Sequence, residues 1–213
     1  MSALILVRHG QASFGTDDYD RLSSVGVRQS RVVGISLASA GIVPGLVVSG
    51  ALRRQQETAA AMIEGAGWGR EVRVDPAWDE FDVMGFVQHA EGPGADSRAF
   101  QGVLEDGMRR WVDGLLLDES GERFADFVAR VATGLERLVD EPTAPGPTVV
   151  STSAGVISWV VTSLLGAGVE QWIRLNRVCV NAAVTRIVRG RGGVSVVSFN
   201  EHGHFAPAEI TYR

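Results

Sequence analysis

The chain has 213 residues, of which 45 % are hydrophobic and 21 % are charged, so it suits one globular domain with a substantial buried core. Its formal net charge of −5 argues against a nucleic-acid-binding surface, and no apolar run approaches the roughly 18–20 residues that a membrane span needs. The single cysteine, Cys179, cannot form an intramolecular disulfide, and the start of the chain lacks a signal-peptide pattern, so we expect a cytoplasmic protein without nucleic-acid or membrane partners.

Six short apolar runs predict β-strands, and helical patterns lie between most of them. The strands are predicted at Leu4–Val7, Leu46–Val48, Val72–Val74, Thr148–Ser151, Val184–Val188 and Val194–Phe199. The helices are predicted at Ser24–Ala38, Leu52–Ile63, Ala99–Leu117, Glu122–Val139 and Gly155–Leu165. Strands that alternate with helices form βα units, which build a largely parallel sheet covered on both faces. The sequence therefore predicts an α/β fold, a three-layer sandwich around a mostly parallel central sheet.

The stretch from Phe81 to Asp140 is predicted to be mostly helical and to interrupt this alternation. We interpret it as an inserted helical cap that lies over the functional site as a partial lid. No repeat and no linker divides the chain, since the prolines at positions 142, 145 and 147 form only a loop before the fourth strand. We predict a single domain over residues 1–213, with the helical insertion at about 81–140.

The first predicted strand ends in Arg8-His9-Gly10. The C-terminal end of such a strand is where open α/β sheets bind their ligands, and a glycine there lets the backbone turn sharply and a ligand approach closely. An imidazole can attack phosphorus while a guanidinium holds phosphate oxygens in a bidentate contact. The tripeptide indicates phosphoryl chemistry, although by itself it also fits an incidental pair at a surface strand end.

Three further segments follow predicted strands and are expected at the same edge of the sheet. Arg53 and Arg54 open the helix after the second strand, where free N–H groups favour an anion, and one of the two is expected to be a solvated surface residue. Glu80 lies beside aromatic residues after the third strand, which suits a proton donor but also fits a solvated turn. Ser153 and the two hydroxyl residues before it end the fourth strand, where a hydroxyl can donate to a phosphate, and at least one of the three is expected to cap the next helix instead.

In order and spacing, these segments resemble the motifs of the histidine phosphatase superfamily, the phosphoglycerate mutase-like proteins. Leu6–Gln11 is similar to the signature whose histidine is transiently phosphorylated, and Leu22–Ser30 is similar to the segment that follows it. Ser49–Ala59 is similar to the family's serine–leucine–arginine–threonine segment. In that register Arg54 matches the phosphate-binding arginine, and Arg53 is a bystander.

The resemblance implies a phosphoglycerate mutase-like fold and a set of site residues. His9 is the expected nucleophile and Glu80 the expected proton donor, while Arg8, Arg54 and Gln11 are expected to bind the phosphate. No metal and no cofactor is expected, because the nucleophile belongs to the protein. The implied partner is a small phosphorylated substrate or phosphate, and a homodimer is one option for the assembly.

The chain departs from the family pattern at one position. The family has a second histidine after the fourth strand, and Ser153 stands in its place. A hydroxyl donates one hydrogen bond but carries no positive charge, so we expect a weaker contact with the phosphoryl group and allow for low activity. Either Ser153 supplies the missing contact or one of the C-terminal histidines, His202 and His204, does so. Those two histidines also fit a metal pair or, more ordinarily, a locally bonded tail.

The expected function is the hydrolysis of phosphomonoesters through a phosphohistidine intermediate. One alternative is phosphoryl transfer of the phosphoglycerate mutase type, for which the insertion offers Arg98, Arg109 and Arg110 as additional basic groups. The other is a catalytically weak protein that binds phosphoesters or a partner. The substrate is left open, because the resemblance covers the insertion least well.

Overall fold

A computed structural model describes residues 2–13, 20–82, 86, 97–117, 121–141 and 145–212. Within these residues, the strands run Ser2–Arg8 (β1), Leu46–Ser49 (β2), Val72–Val74 (β3), Thr148–Thr152 (β4), Val184–Gly190 (β5) and Gly193–Glu201 (β6). All six predicted strands are therefore present, and each matches its predicted position to within two residues at either end.

Helices occupy the connections between the strands. They run Ser24–Ser39 (α1), Arg53–Ala66 (α2), Ser97–Val112 (α3), Phe124–Asp140 (α4), Ala154–Leu164 (α5) and Val169–Val178 (α6). Helix α1 begins where the Ser23 side chain accepts the backbone N–H of Gly26, and α2 ends at Gly67, whose φ of 67° is left-handed. In the part of the chain that the structure describes, no helix has the length and apolarity needed to cross a membrane.

The strands form one sheet in the order β3-β2-β4-β1-β5-β6. The first four strands in this order run parallel to one another, whereas β5 runs antiparallel to β1 and pairs with β6 in a hairpin. In the register between β1 and β4, Arg8 lies opposite Thr152. The carboxyl ends of the four parallel strands therefore meet at one edge, as the prediction of a mostly parallel sheet requires.

Helices cover both faces of the sheet and confirm the predicted α/β sandwich. Helices α1 and α2 pack against each other, and the core on their side includes Ile5 and Val7 of β1. Helices α4 and α5 lie on the opposite face, where the core includes Leu4 and Leu6. Successive β1 residues alternate between the two cores because side chains of a strand point to opposite faces.

A cluster of aromatic rings fills the core on the α4 and α5 side. Its described members are Phe81, Phe86, Trp111, Phe124, Phe127, Trp159 and Trp172. Phe81 packs edge-on against Phe127, with 5.6 Å between ring centroids. Because Phe81 directly follows Glu80, burial of its ring holds the loop that carries this carboxylate against the sheet.

Helix α6 was not predicted. Its buried residues Trp172 and Ile173 stand three and four positions after Val169, a spacing typical of an amphipathic helix. The signal was present but short, because the helix has ten residues and buries only these two side chains. Tertiary packing against α5 and α3 stabilises it.

Part of the predicted insertion belongs to the sandwich itself. Helix α4 contacts β1 and α5 and buries Phe127, Val131 and Leu138 in the main core. Its amphipathic face therefore stabilises the sheet. The prediction of a cap over the site concerns residues 83–85 and 87–96 as well, which lie outside the described residues, and it stays a prediction.

Candidate active site

The predicted site residues gather at the carboxyl edge of the parallel strands. His9 follows β1, Arg54 lies in the first turn of α2 after β2, and Glu80 follows the short 3-10 helix after β3. Ser153 lies between β4 and α5. This is the edge at which α/β sheets bind ligands, since loops and helix N-termini converge there.

The His9 ring is buried and held in one tautomer. Its side chain is only 5 % exposed, and Nδ1 lies 2.8 Å from the carbonyl oxygen of Gly10. A carbonyl can only accept a hydrogen bond, so Nδ1 carries the proton and Nε2 keeps its lone pair. Burial lowers the pKa of His9 well below its usual value, and the positive charges of Arg54 and Arg8 lower it further. His9 is therefore a neutral imidazole with a nucleophilic Nε2.

The backbone around His9 is fixed from several sides. The His9 N–H donates to the Thr152 carbonyl at 2.8 Å, and its carbonyl accepts from Nδ2 of Asn181 at 3.2 Å. At the next position only glycine fits, because a Cβ on Gly10 would lie 2.3 Å from the carbonyl oxygen of Gly26. His9 thus lies on rigid backbone at the end of a central strand.

Arg8 is buried beside His9 and is tied to the C-terminal part of the chain. Its guanidinium donates to the carbonyl of Cys179 and, at 3.0 Å, to the carbonyl of Tyr212. These contacts fix the position of its charge, which acts on both His9 and Glu80. Arg8 therefore shapes the electrostatics of the site from a fixed position.

The two arginines of α2 differ in their surroundings. Arg54 is 8 % exposed, and its Nη1 donates to Oδ1 of Asp20 at 2.6 Å. The other carboxylate oxygen of Asp20 accepts the backbone N–H of Arg53 at 2.8 Å. The Arg53 side chain instead forms an exposed ion pair with Glu57. The buried Arg54 charge faces the site, as the family register implies, whereas the charge of Arg53 lies on the surface.

Glu80 is held at the N-terminus of α5. Its Oε2 accepts the backbone N–H of Gly155 at 2.9 Å, while Oε1 is buried without a hydrogen-bond partner among the described residues. Gly155 makes room for it, because a Cβ there would lie 2.3 Å from Oε1. Burial raises the pKa of Glu80, outweighing the opposing effects of the Gly155 hydrogen bond and of Arg54 and Arg8. A carboxyl group with a raised pKa is suited to donating a proton.

Ser153 does not cap α5, although it stands at the N-cap position. Its buried Oγ accepts a hydrogen bond from Nε2 of Gln55 at 2.8 Å. The two preceding hydroxyls do not cap the helix either, because Ser151 donates to the Gln55 carbonyl and Thr152 donates to the Trp78 carbonyl. The capping role expected for at least one of these residues is wrong, since all three hydroxyls connect β4 to neighbouring segments instead.

Two residues of the site, Gln55 and Asp20, were missed by the sequence reasoning. Gln55 carried a signal, because it occupies the buried stripe of α2 together with Thr58, Ala59 and Met62 at positions three, four and seven further on. A polar residue on a buried stripe must find partners there. Asp20 carried no comparable signal, since its partners come from another part of the chain.

Gln11 faces the start of α1. Its Oε1 accepts from the Ser23 hydroxyl at 2.8 Å, and its backbone N–H donates to Oε1 of Gln29 at 2.9 Å. These bonds join the loop after β1 to α1. A phosphate contact from Gln11 stays a prediction.

Each of the two C-terminal histidines bonds to a backbone carbonyl, which lies two residues away for His202 and 22 residues away for His204. His202 donates from Nδ1 to the Asn200 carbonyl at 2.6 Å, and His204 donates from Nε2 to the Ala182 carbonyl at 3.1 Å. Among the described residues, no group of three or more His, Cys, Asp or Glu side chains is placed to hold a metal ion. The remaining histidine of the chain, His89, lies outside the described residues.

The arrangement as a whole is that of a site for phosphate esters. It combines a neutral imidazole with a nucleophilic nitrogen, buried guanidinium groups and a carboxyl group whose pKa is raised. A nucleophile, cations for the phosphate oxygens and a proton donor are what phosphoryl transfer requires.

The family model of the histidine phosphatase superfamily (branch 1) matches residues 4–202. The chain therefore belongs to the histidine phosphatase superfamily, which confirms the family predicted from its motifs. The match to the family model covers most of the chain, including the predicted insertion. No curated protein shows significant sequence similarity to the chain.

Solved structures with the same fold include two phosphatases. A mycobacterial glucosyl-3-phosphoglycerate phosphatase in complex with VO3 superimposes with a TM-score of 0.68 at 24 % identity, covering 95 % of this chain and 100 % of that one. A mutant phosphoserine phosphatase from Entamoeba histolytica in complex with phosphoserine gives a TM-score of 0.67 at 19 % identity. The match covers 97 % of this chain and 100 % of that one. At these identities the likeness establishes the fold.

Proposed function

We propose that the protein is a phosphatase that hydrolyses small phosphomonoesters through a phosphohistidine intermediate, in the cytoplasm and without a cofactor. The observation that carries the proposal is the state of His9: buried, neutral, and with Nε2 left free by the bond from Nδ1 to Gly10. Membership of the superfamily supports it. The similar structures, which include complexes with phosphoserine and VO3, agree with a phosphorylated small molecule as substrate.

In the first step, Nε2 of His9 attacks the phosphorus atom and the bond to the ester oxygen breaks. The carboxyl group of Glu80 gives its proton to the departing alcohol. In the second step, the Glu80 carboxylate takes a proton from water, whose oxygen attacks the phosphorus and releases His9. Arg54 and Arg8 stabilise the charge on the phosphoryl oxygens in both steps, and Ser153 donates one hydrogen bond.

Transfer of the mutase type finds less support in the structure. Arg109, one of the basic groups on which that reading depends, forms an ion pair with Glu170 at 2.8 Å on the surface. Arg110 is exposed on the same helix, and the side chain of Arg98 lies outside the described ones. The hydrolase is therefore the function that the geometry supports best.

The decisive experiment is to trap the intermediate. The enzyme is mixed with an aryl phosphate and the reaction is quenched rapidly. We expect His9 to carry a phosphate that is labile in acid and stable in alkali. A protein that binds phosphate but yields no labelled enzyme at any time point would instead be the phosphoester-binding protein that the missing second histidine suggests.

The substitution Glu80→Gln tests the proton donor. The amide still accepts the Gly155 N–H but has no proton of the required acidity, so kcat for an alkyl phosphate is expected to fall by about 10²-fold. An aryl phosphate with a good leaving group needs little protonation. With this substrate the variant should form the phosphoenzyme at nearly the wild-type rate. Asp79→Asn is the matched control, because Asp79 accepts the Ala51 N–H instead. An equal loss in the rate of phosphoenzyme formation from both substrates for Glu80→Gln would contradict the assignment of Glu80 as the proton donor.

His9 and Glu80 together set the pH dependence of kcat/KM. His9 must be neutral, and its lowered pKa places the acid limb of kcat/KM below the ordinary histidine value of 6.5. Glu80 must be protonated in the first step, and its raised pKa places the alkaline limb above the ordinary value of 4.5. We therefore expect a bell-shaped profile for an alkyl phosphate, whose alkaline limb disappears in Glu80→Gln. An alkaline limb unchanged in that variant would assign it to another group.

Asp20 offers a test of the charge on Arg54. Its carboxylate is partly exposed and occupies one edge of that guanidinium. Asp20→Asn keeps an oxygen to orient Arg54 but removes the negative charge, so the inhibition constant of inorganic phosphate is expected to fall by about threefold at low ionic strength. Asp20→Ala removes the orientation as well and should lower kcat. Identical inhibition constants in wild type and Asp20→Asn would show that Asp20 does not act on the phosphate site.

A further inference from the structure

The Gln55 side chain lies beneath the site and joins three of the segments that connect the strands. It is fully buried, and its Nε2 lies 3.1 Å from the Trp78 carbonyl oxygen and 2.8 Å from Oγ of Ser153. Trp78 ends the short helix that precedes Glu80, and Ser153 precedes α5. One amide therefore joins the start of α2 to the segments that carry the proton donor and the serine.

The direction of these hydrogen bonds follows from elementary chemistry. The Trp78 carbonyl can only accept, so the nitrogen of the Gln55 amide must face it. The second N–H of this amide then points to Ser153, whose Oγ is the acceptor. The hydroxyl hydrogen of Ser153 is left to be donated elsewhere, and within the described residues it has no acceptor. In the register of β1 with β4, where Arg8 lies opposite Thr152, the next residues in line are His9 and Ser153.

We propose that Gln55 is a positioning residue that directs the Ser153 hydroxyl hydrogen towards the phosphoryl group on His9. The inference rests on the proposed function. Without the amide, the hydroxyl rotates and accepts or donates with equal ease. With the Gln55 amide in place, one lone pair of the Ser153 oxygen accepts its hydrogen bond, and the hydroxyl hydrogen points away from α2. A neutral donor oriented in advance contributes more to a charged transition state than one that must reorient.

The amide itself has little freedom. A Cβ on Gly50 would lie 1.9 Å from Oε1 of Gln55, so the side chain is packed against the backbone that follows β2. The Trp78 carbonyl also accepts from the Thr152 hydroxyl at 2.6 Å, which fixes the acceptor that orients the amide. The Ser151 hydroxyl donates to the Gln55 carbonyl at 2.8 Å and holds the backbone of the same residue.

The test is a double-mutant cycle between Gln55→Met and Ser153→Ala. Methionine has nearly the same length as glutamine but donates no hydrogen bond, so kcat is expected to fall about tenfold with little change in KM. Ser153→Ala is expected to lower kcat by about 10²-fold. If Gln55 acts through Ser153, the double variant has the kcat of Ser153→Ala alone. Gln56→Met is the matched control, because Gln56 is the exposed neighbour on α2 and its side-chain amide donates to the Ala51 carbonyl.

The outcomes separate this inference from the proposed function. Losses in kcat that multiply in the double variant, or a Gln55→Met enzyme with wild-type kcat, would overturn the role of Gln55 while the phosphohistidine still forms in the wild type. Absence of that intermediate in the wild type would overturn the function instead. The thermal midpoint of each variant is measured alongside, and Gln55→Leu replaces Gln55→Met in the cycle if the latter does not fold.

Discussion

Substitution of His9 by alanine is expected to lower kcat by about 10⁴-fold or more, because it removes the atom that receives the phosphoryl group in the proposed mechanism. No phosphoenzyme should form, and the loss should be the same for alkyl and aryl phosphates. The arginines remain in this variant, so inorganic phosphate should still bind. Steady-state rates, a rapid-quench label and phosphate titration together measure these three properties.

His202→Ala is the matched control for this loss. Like His9, the His202 ring donates from Nδ1 to a backbone carbonyl, in its case that of Asn200. The two rings therefore make the same kind of hydrogen bond, but His202 lies in the C-terminal segment. Near-normal turnover is expected for His202→Ala. A His9→Ala enzyme that retained a tenth of wild-type activity would refute the phosphohistidine mechanism.

Substitution of Arg54 by alanine is expected to lower kcat/KM by about 10³-fold, since arginine contacts with the transferring phosphoryl group are worth this much or more in related chemistry. The loss should appear in kcat as well as in KM, because charge on the phosphoryl oxygens changes during the reaction. Removal of this charge should also raise the pKa of His9, which Arg54 lowers, and shift the acid limb of the pH profile upwards.

Arg53→Ala separates this effect from a general loss of positive charge. Arg53 is the adjacent residue of α2 and pairs with Glu57 on the surface. Its removal changes the net charge of the protein by the same amount, yet we expect kcat/KM to stay within about threefold of wild type. If Arg54→Ala changed KM alone, Arg54 would serve binding and not the transition state.

Much of the site could be predicted from the sequence because its parts are local signals. A strand that ends in Arg8-His9-Gly10 and a helix that opens with two arginines are each contained in a short segment. The parallel sheet then brings such segments to one edge whatever their separation along the chain. The choice of Arg54 over Arg53 came from the spacing to Thr58 within the family motif, and Thr58 does bond to the Gly10 N–H at 3.0 Å.

What escaped prediction depends on partners that are distant in sequence. Gln55 and Ser153 are 98 residues apart, and Asp20 and Arg54 are 34 residues apart. No periodicity marks such a pair before the fold places its members together. The same holds for α6, whose two buried side chains gain their stability from packing on neighbouring helices.

By itself the sequence determined where the strands lie along the chain, the α/β class and the family, and it predicted the imidazole, the carboxylate and the arginines of the site. Those properties follow from hydrophobic periodicity and short motifs, which act over a few residues. Only the tertiary structure decided the chemical state of these groups. The proton on Nδ1 of His9, the raised pKa of Glu80 and the hydrogen bond that Ser153 accepts from Gln55 all follow from burial and from the neighbouring groups. Because desolvation and hydrogen-bond geometry depend on the surrounding atoms in three dimensions, residue identity alone does not determine them.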